Sequence, residues 1–322
     1  MSIIKNIFLI FFSFFIILFL LEVVLRISGS SPRIDNLARN DDPIIYKNDN
    51  ELGWVQKTGT YMFKPWSNEG KITKFSIEKD GSRKNNIKIN SGPNILFFGG
   101  SLTQGWAVDD DETFTRYFQE LNKNLRIFNY GVGGYGGYQS LKLQKRITKN
   151  LNSIDHIIYG FIDHHEVRNV AAGSWLYMLN KYSNRGHVYV PYGSIENGQL
   201  KENPPIKYIK ISLSEYSALI AKVEKRLMKL KSRKREKNQF EISKLIIDEM
   251  SNHAKQLNSK FSVLMLDSSK ENLLKYAIFF KEKKINFINC PFPSDKFVKG
   301  EGHPNGIGHK IVANCLNENF IE

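Results

Sequence analysis

Three residues of this chain have the types and spacing for covalent chemistry: a serine that ends an apolar run, and a glutamate and histidine close together near the C-terminus. Ser101 follows Ile95, Leu96, Phe97 and Phe98 and the pair Gly99-Gly100. Serine is also a favoured helix N-cap, so its place after a strand-like run says only that a helix begins there. Its hydroxyl becomes a nucleophile when a base takes the proton and donors stabilise the oxyanion that follows. The base is sought among seven histidines. "GEGHPNGIGHK" places Glu301 two residues before His303 in a loop of glycines, Pro304 and Asn305. An acid that holds one ring nitrogen leaves the other free to receive a serine proton. Were the acid required three residues before the histidine, Gly300 would stand there and a Ser-His dyad would remain. His309 is expected to cap or pack on the last helix.

An oxyanion needs backbone donors, and "FNYGVGGYGGYQS" is a second glycine turn at a strand end. Gly131, Gly133 and Gly136 satisfy G-x-G-x-x-G, so a dinucleotide site competes with the oxyanion reading. Against it, Asp155 opens the next strand where the ribose-binding acid should close it, and Asp163 lies rather far along. The motif is also not on the opening strand of the sheet region. Glycines there equally let the backbone approach a reacting carbonyl.

The elements that must hold these turns follow from periodicity. "NILFF", "LRIFNY", "DHIIYGFI", "FSVLMLD" and "INFINC" read as buried strands. They alternate with helical stretches at "DETFTRYFQELNKN" (starting near Asp111), "GYQSLKLQKRITKNL", "ENLLKYAIFFKEK" and from about Gly308. Alternation of this kind predicts a parallel sheet covered by helices on both faces, with ligands at the carboxyl ends of the strands. Residues 28–90 are polar, with turn signals and short strands such as "KITKFSIE" that would pack on the main domain. A less regular stretch, 171–240, reads as a lid or acceptor surface with Trp175, Tyr177, Tyr182 and Tyr192 available to stack on sugars.

With these motifs in order, the chain resembles the SGNH (GDSL-type) hydrolases over about residues 50–318. Gly99-Gly100-Ser101-Leu102-Thr103 matches the first block, with Gly100 where aspartate is usual, a change expected to matter little. Asn129 and Gly134 match the second block, and Glu301 and His303 the last. "VDDDETF", "NELGW" and "DGSR" resemble membrane-anchored bacterial members. The resemblance implies a flavodoxin-like three-layer α/β/α sandwich over residues 91–322 and an acyl-serine intermediate at Ser101. It implies His303 as base, Glu301 as orienting acid, and the amides of Ser101 and Gly134 in the oxyanion hole. The third block departs: "YGFIDHHEVRN" has Asp163 at the asparagine position, where an ionised carboxylate cannot donate. His164 or His165 is then the expected substitute donor. No cofactor and no metal is implied.

Residues 1–27 contain an apolar run from Ile7 to Leu25 interrupted by Ser13 and Glu22, long enough for a single-pass anchor. Lys5 precedes it and Arg26, Arg33 and Arg39 follow, a count that does not fix orientation. A lone N-terminal span favours an exported catalytic domain. The net charge of +14 is concentrated at 222–238, "KVEKRLMKLKSRKREKN". On a helix this reads as a solvated face or a contact for anionic lipid or polymer. No zinc, helix-turn-helix or RNA-binding motif accompanies it, so nucleic acid is not an expected partner. Cys290 and Cys315 are expected as buried free thiols, since a disulfide needs export and suitable geometry. The resulting expectation is a serine esterase or O-acyltransferase acting on an acylated small molecule or a cell-envelope or exported polysaccharide. The alternative is a catalytically degenerate relative that binds polysaccharide or a partner without turnover.

Overall fold

A computed structural model describes residues 2–34, 43–64, 71–85, 87, 89–151, 153–183 and 188–320. Helix α1 (Ser2–Ile27) is followed by two antiparallel hairpins, β1 (Tyr46–Asp49) with β2 (Gly53–Gln56), and β3 (Gly59–Phe63) with β4 (Thr73–Ile77). The central sheet begins at β5 (Asn94–Gly99), which runs into the single turn α2 (Ser101–Gln104) and then α3 (Phe114–Leu121). β6 (Arg126–Gly131), α4 (Gly137–Thr148), β7 (His156–Ile162) and α5 (His164–Asn169) follow. The stretch read as a lid contains α6 (Gly173–Tyr182), the hairpin β8 (Tyr189–Glu196) with β9 (Gln199–Lys207), and α7 (Ala218–Glu236). α8 (Gln239–Gln256), β10 (Lys260–Asp267), α9 (Lys270–Lys283), β11 (Asn286–Asn289) and α10 (Gly306–Asn319) complete the chain.

All four pairings in the five-stranded sheet are parallel, and the spatial order is β11-β10-β7-β5-β6. Numbered along the chain from the β6 edge this is 2-1-3-4-5, the flavodoxin-like order, whose ligand crevice opens where the order reverses beside its first strand, here β5. Every residue of β7 is buried, as a strand covered on both faces requires. Successive side chains serve opposite layers. Ile158, Ile162, Leu264 and Leu266 pack with Phe114, Phe118, Val312 and Leu316 of α3 and α10. Tyr159, Phe161, Val263 and Met265 pack with Leu141, Ile246, Met250 and Phe280 of α4, α8 and α9. The three-layer sandwich expected from the alternation is therefore the fold.

Two details differ from the sequence reading. α3 starts later than Asp111, because the Thr113 hydroxyl accepts from the Arg116 amide and sets the N-cap there. Cys290 and Cys315 are joined as a disulfide with their Cα atoms 5.8 Å apart, so neither is a free thiol. The bond ties the end of β11 to α10, within the layer that carries the C-terminal loop.

α1 is the one helix among the described residues long and apolar enough to cross a membrane, over Ile3–Ile27. Its last turns dock on the start of α7. Both Glu22 carboxylate oxygens accept from the start of α7: Ser217 Oγ at 2.8 Å and the Ala218 and Leu219 amides at 2.8 and 2.9 Å. Arg26 Nη2 donates to the Tyr216 carbonyl at 2.8 Å. A carboxylate at a helix N-terminus satisfies amides that lack intrahelical acceptors. A buried ion pair of Arg33 with Glu224, on which the Tyr208 hydroxyl also donates, fastens the chain after α1 to the same helix.

Candidate active site

The apolar strand β5 delivers Ser101 to the carboxyl edge of the sheet, and α2 turns the chain back at once. Gly105 closes this single turn in the left-handed conformation, with its amide on the Ser101 carbonyl. The loop before α10 meets it from the other side. His303 Nε2 lies 2.8 Å from Ser101 Oγ, and His303 Nδ1 lies 3.0 and 2.9 Å from the two oxygens of Glu301. The Glu301 side chain is fully buried, which shields this contact from water. With its Nδ1 proton donated to the carboxylate, the imidazole presents a lone pair at Nε2 to the serine hydroxyl. Ser101, His303 and Glu301, the three residues singled out by motif and spacing, are thus brought together. His309 packs instead: its Nδ1 accepts from the Phe114 amide, it stacks on Phe114, and burial pushes its pKa down to about 3.

The second glycine turn faces Ser101 across a cavity of about 180 Å³. Gly134 holds φ +83°, a conformation costly for other residues, and this aims the turn at the cavity it lines. Neither the Ser101 nor the Gly134 amide donates to a protein acceptor among the described residues. The glycines of the dinucleotide fingerprint are occupied by protein rather than by space for a pyrophosphate. A Cβ on Gly131 would stand 2.5 Å from the Gln104 amide, on Gly133 2.3 Å from the Tyr46 hydroxyl, and on Gly136 2.7 Å from Arg168 Cβ.

Side chains from three segments fix the two turns to each other. Asn129 Nδ2 donates to the Thr103 carbonyl at 2.8 Å and to Thr115 Oγ1 at 3.1 Å, while its Oδ1 accepts from the Gly131 amide at 2.9 Å. Trp54 Nε1 donates to the Gly133 carbonyl at 3.0 Å, and the Tyr135 hydroxyl donates back to the Trp54 carbonyl. Gln104 Nε2 donates to Gln56 Oε1 at 2.6 Å. "NELGW" is therefore the clamp on the second turn, and Asn129 is a positioning residue.

The third block is where the structure departs most from expectation. Asp163 accepts from Ser268 Oγ at 2.6 Å and from the Ser269 amide at 2.9 Å. It thereby links the end of β7 to the start of α9 and does not line the cavity. His164 is exposed. His165 is 0% exposed and turns inward, its Nδ1 at 2.6 Å from the Tyr159 hydroxyl and its Nε2 buried without a partner. None of the three reaches the cavity. Because Asp163 serves the β7–α9 junction, Asp163→Asn should leave turnover of a small acyl ester within about threefold of the parent. A gain or loss of a hundredfold, the order expected of an oxyanion donor, would return it to the site.

Gly100 is not the neutral departure expected from the motif. A Cβ there would stand 2.8 Å from His165 Nε2 and 3.1 Å from both Arg168 Nη1 and the Tyr135 carbonyl. The space an aspartate would need is filled by those two side chains. Of the four aromatic residues proposed for sugar stacking, Trp175 lines the cavity. Tyr177 packs on Tyr208 and Tyr192 on Arg235, both away from it, and the Tyr182 side chain lies outside the described structure. The sequence reading missed Tyr46, Trp106 and Arg168, which line the cavity with Ser101 and His303. Trp106 was findable, five residues beyond Ser101 in the same turn.

No family model and no curated protein matches the chain. Solved structures do. A lipolytic G-D-S-L family member from Veillonella parvula aligns at 12% identity and TM-score 0.42, over 71% of this chain and 98% of its own. The esterase EstA of a Pseudoalteromonas species aligns at 8% and 0.43, over 70% and 94%. A carbohydrate acetylesterase family member from Sinorhizobium meliloti aligns at 8% and 0.39, over 70% and 96%. The chain is thus similar, at low identity, to lipolytic esterases of the G-D-S-L (SGNH) type.

Proposed function

We propose that this chain is an SGNH-type serine esterase or O-acyltransferase that works through an acyl-serine intermediate. The observation that carries it is the unbroken relay from Ser101 Oγ through both nitrogens of His303 to the buried Glu301 carboxylate. The Ser101 hydroxyl attacks the ester carbonyl carbon as its proton passes to His303 Nε2, and the carbonyl electron pair becomes an oxyanion. The Ser101 and Gly134 amides receive it. Collapse expels the alcohol, which takes the proton from His303 and leaves the acyl group on Ser101. Water or a sugar hydroxyl, deprotonated by the same imidazole, then attacks the acyl-serine and releases it. The test is labelling of the full chain in detergent or nanodiscs by a fluorophosphonate probe, mapped to Ser101 by mass spectrometry, alongside acyl release from small esters. An unlabelled chain with no esterase activity across several acyl esters would favour the binding-only alternative.

The substrate class we infer is O-acyl groups of a cell-envelope or exported polysaccharide, with the catalytic domain on the exported side of the membrane. Three features support this: the span at Ile3–Ile27, a disulfide suited to an oxidising compartment, and an aromatic-walled cavity at the strand ends. Beside the end of α1, helix α7 exposes Lys222, Lys225, Arg226, Lys229, Lys231, Arg233 and Lys234 around a stripe of Val223, Leu227 and Leu230. Such a face suits anionic headgroups, at about 1 kcal/mol for each basic residue near the surface. In nanodiscs at low salt, amides of α7 should exchange more slowly in anionic than in zwitterionic lipid. Replacing Lys229, Lys231, Arg233 and Lys234 with glutamine should remove that difference. Equal exchange in both lipids for the parent would leave α7 an ordinary solvated helix.

A further inference from the structure

Arg168 is a buried cation with no anion. It is 9% exposed, and no carboxylate lies within ion-pair distance of it among the described residues. Its Nη1 donates to the Tyr135 carbonyl at 2.9 Å, its Nε is buried without an acceptor, and its guanidinium carbon sits 4.6 Å from the centroid of the Trp175 ring. Burial lowers its pKa to about 10, which still leaves it charged at neutral pH. Leaving a buried charge without a partner is strongly destabilising, so a site that keeps one is built to receive the opposite charge.

Its position indicates which charge. Nη1 is held on the carbonyl of Tyr135, next in the chain to Gly134, and 3.1 Å from the point where a Gly100 Cβ would stand, next in the chain to Ser101. The guanidinium therefore lies between the two turns that line the cavity, and it lines that cavity with Ser101, Gly134 and His303. His165 shares the space beside Gly100 with it. The buried Tyr159 hydroxyl lies 2.6 Å from His165 Nδ1, and His165 Nε2 faces Gly100. A glycine at position 100 is what lets both side chains come this close.

We propose that Arg168 is the third donor of the oxyanion hole, a fixed positive charge that binds the carbonyl oxygen as it becomes negative during attack by Ser101. The inference rests on the reading of Ser101 as nucleophile. As the carbonyl electron pair moves onto oxygen, the new charge meets the Ser101 and Gly134 amides and the guanidinium together. The guanidinium keeps its proton throughout, and the Ser101 proton still goes to His303.

The experiment uses the full chain in detergent or nanodiscs with two substrates, a neutral acetyl ester and an ester whose acyl group ends in a carboxylate. Arg168→Gln should lower kcat about 10²- to 10³-fold on both, with KM within about threefold, the effect expected of a lost oxyanion donor. It should slow fluorophosphonate labelling of Ser101 by a similar factor. Arg168→Lys, which keeps the charge but not the fork, should fall between. A rise in KM confined to the carboxylate ester, with kcat intact, would overturn the proposal and make Arg168 a ground-state anchor for acidic acyl groups. Labelling of Arg168→Gln as fast as the parent would overturn this inference alone, whereas an unlabelled parent would remove the Ser101 reading and this one with it. Circular dichroism checks folding. Should Arg168→Gln not fold, Arg168→Lys decides: a tenfold or greater loss in kcat at unchanged KM supports the proposal, and full kcat overturns it.

Discussion

Ser101→Ala is expected to lower turnover of a small acyl ester by up to about 10⁶-fold, and to abolish fluorophosphonate labelling, because it removes the atom that forms the covalent bond. His303→Ala should cost about as much. Its Nε2, 2.8 Å from the hydroxyl, is the one base among the described residues within reach of that proton. The double variant should be no worse than either single one, since nucleophile and base act as a unit. Glu301→Gln should cost less, about 10⁴-fold, and for a different reason. A glutamine amide turned toward Nδ1 would donate rather than accept, favouring the tautomer with the proton on Nε2, which cannot take the serine proton. Its oxygen could still accept from Nδ1, so Glu301→Gln retains more activity than Glu301→Ala. The measurement is kcat/KM for all five variants beside the parent, with circular dichroism confirming the fold. Independent, additive losses at Ser101 and His303, or esterase activity that survives Ser101→Ala, would end the acyl-serine mechanism.

The sheet was legible because its strands are nearly uniform in character: β5, β7 and β10 are apolar on both faces and alternate with helices of ordinary length. Ser101, Glu301 and His303 were legible for a related reason, since each occupies a turn at the carboxyl edge that such a sheet must have. What sequence could not show is contact made by folding back. Arg168 lies in the last turn of α5, and nothing in "HHEVRN" says that this short helix turns that side chain toward the residue before Ser101. Asp163, by contrast, looked like a site residue because it ends β7 at the right level. It is drawn off by Ser268 and Ser269, a pairing that depends on how β10 ends beside β7. Tyr46 reaches the cavity from a segment that reads as a polar connection. The cysteines were misjudged because the two positions lie 25 apart in sequence, with the whole loop that carries Glu301 and His303 between them, and only the fold brings them together.

Loss of Arg83 should be the most destabilising single change outside the site, by about 3–5 kcal/mol, the range for removing one partner of a buried ion pair. Arg83 lies in "DGSR", and its side chain is 1% exposed. Its Nε donates to Asp110 Oδ1 at 3.0 Å, Nη1 to the Gly105 carbonyl at 2.9 Å, and Nη2 to the Val108 carbonyl at 2.9 Å. The guanidinium carbon lies 3.8 Å from the centroid of Phe75. Its amide donates to the Asn129 carbonyl at 2.7 Å, which joins the β3–β4 hairpin to the open edge of the central sheet at β6. One residue therefore satisfies the carbonyls of the turn behind Ser101 and fixes the hairpin to the sheet. Arg83→Met keeps length and apolar contact with Phe75, yet it strands the Asp110 carboxylate in a buried site. Asp110→Asn removes that charge while still accepting from the Ser76 amide, now 2.8 Å from Asp110 Oδ1. In the double variant the penalty for an unpaired carboxylate disappears, so its cost should fall well below the sum of the two single costs. Chemical denaturation of the four proteins measures this coupling. Strictly additive losses would mean that Arg83 acts through its carbonyl contacts alone. Residual esterase activity separates the two roles: below the melting transition, Arg83→Met should lose kcat through the loosened turn at Gln104 and Gly105, whereas Asp110→Asn, which leaves those carbonyls bonded, should keep it.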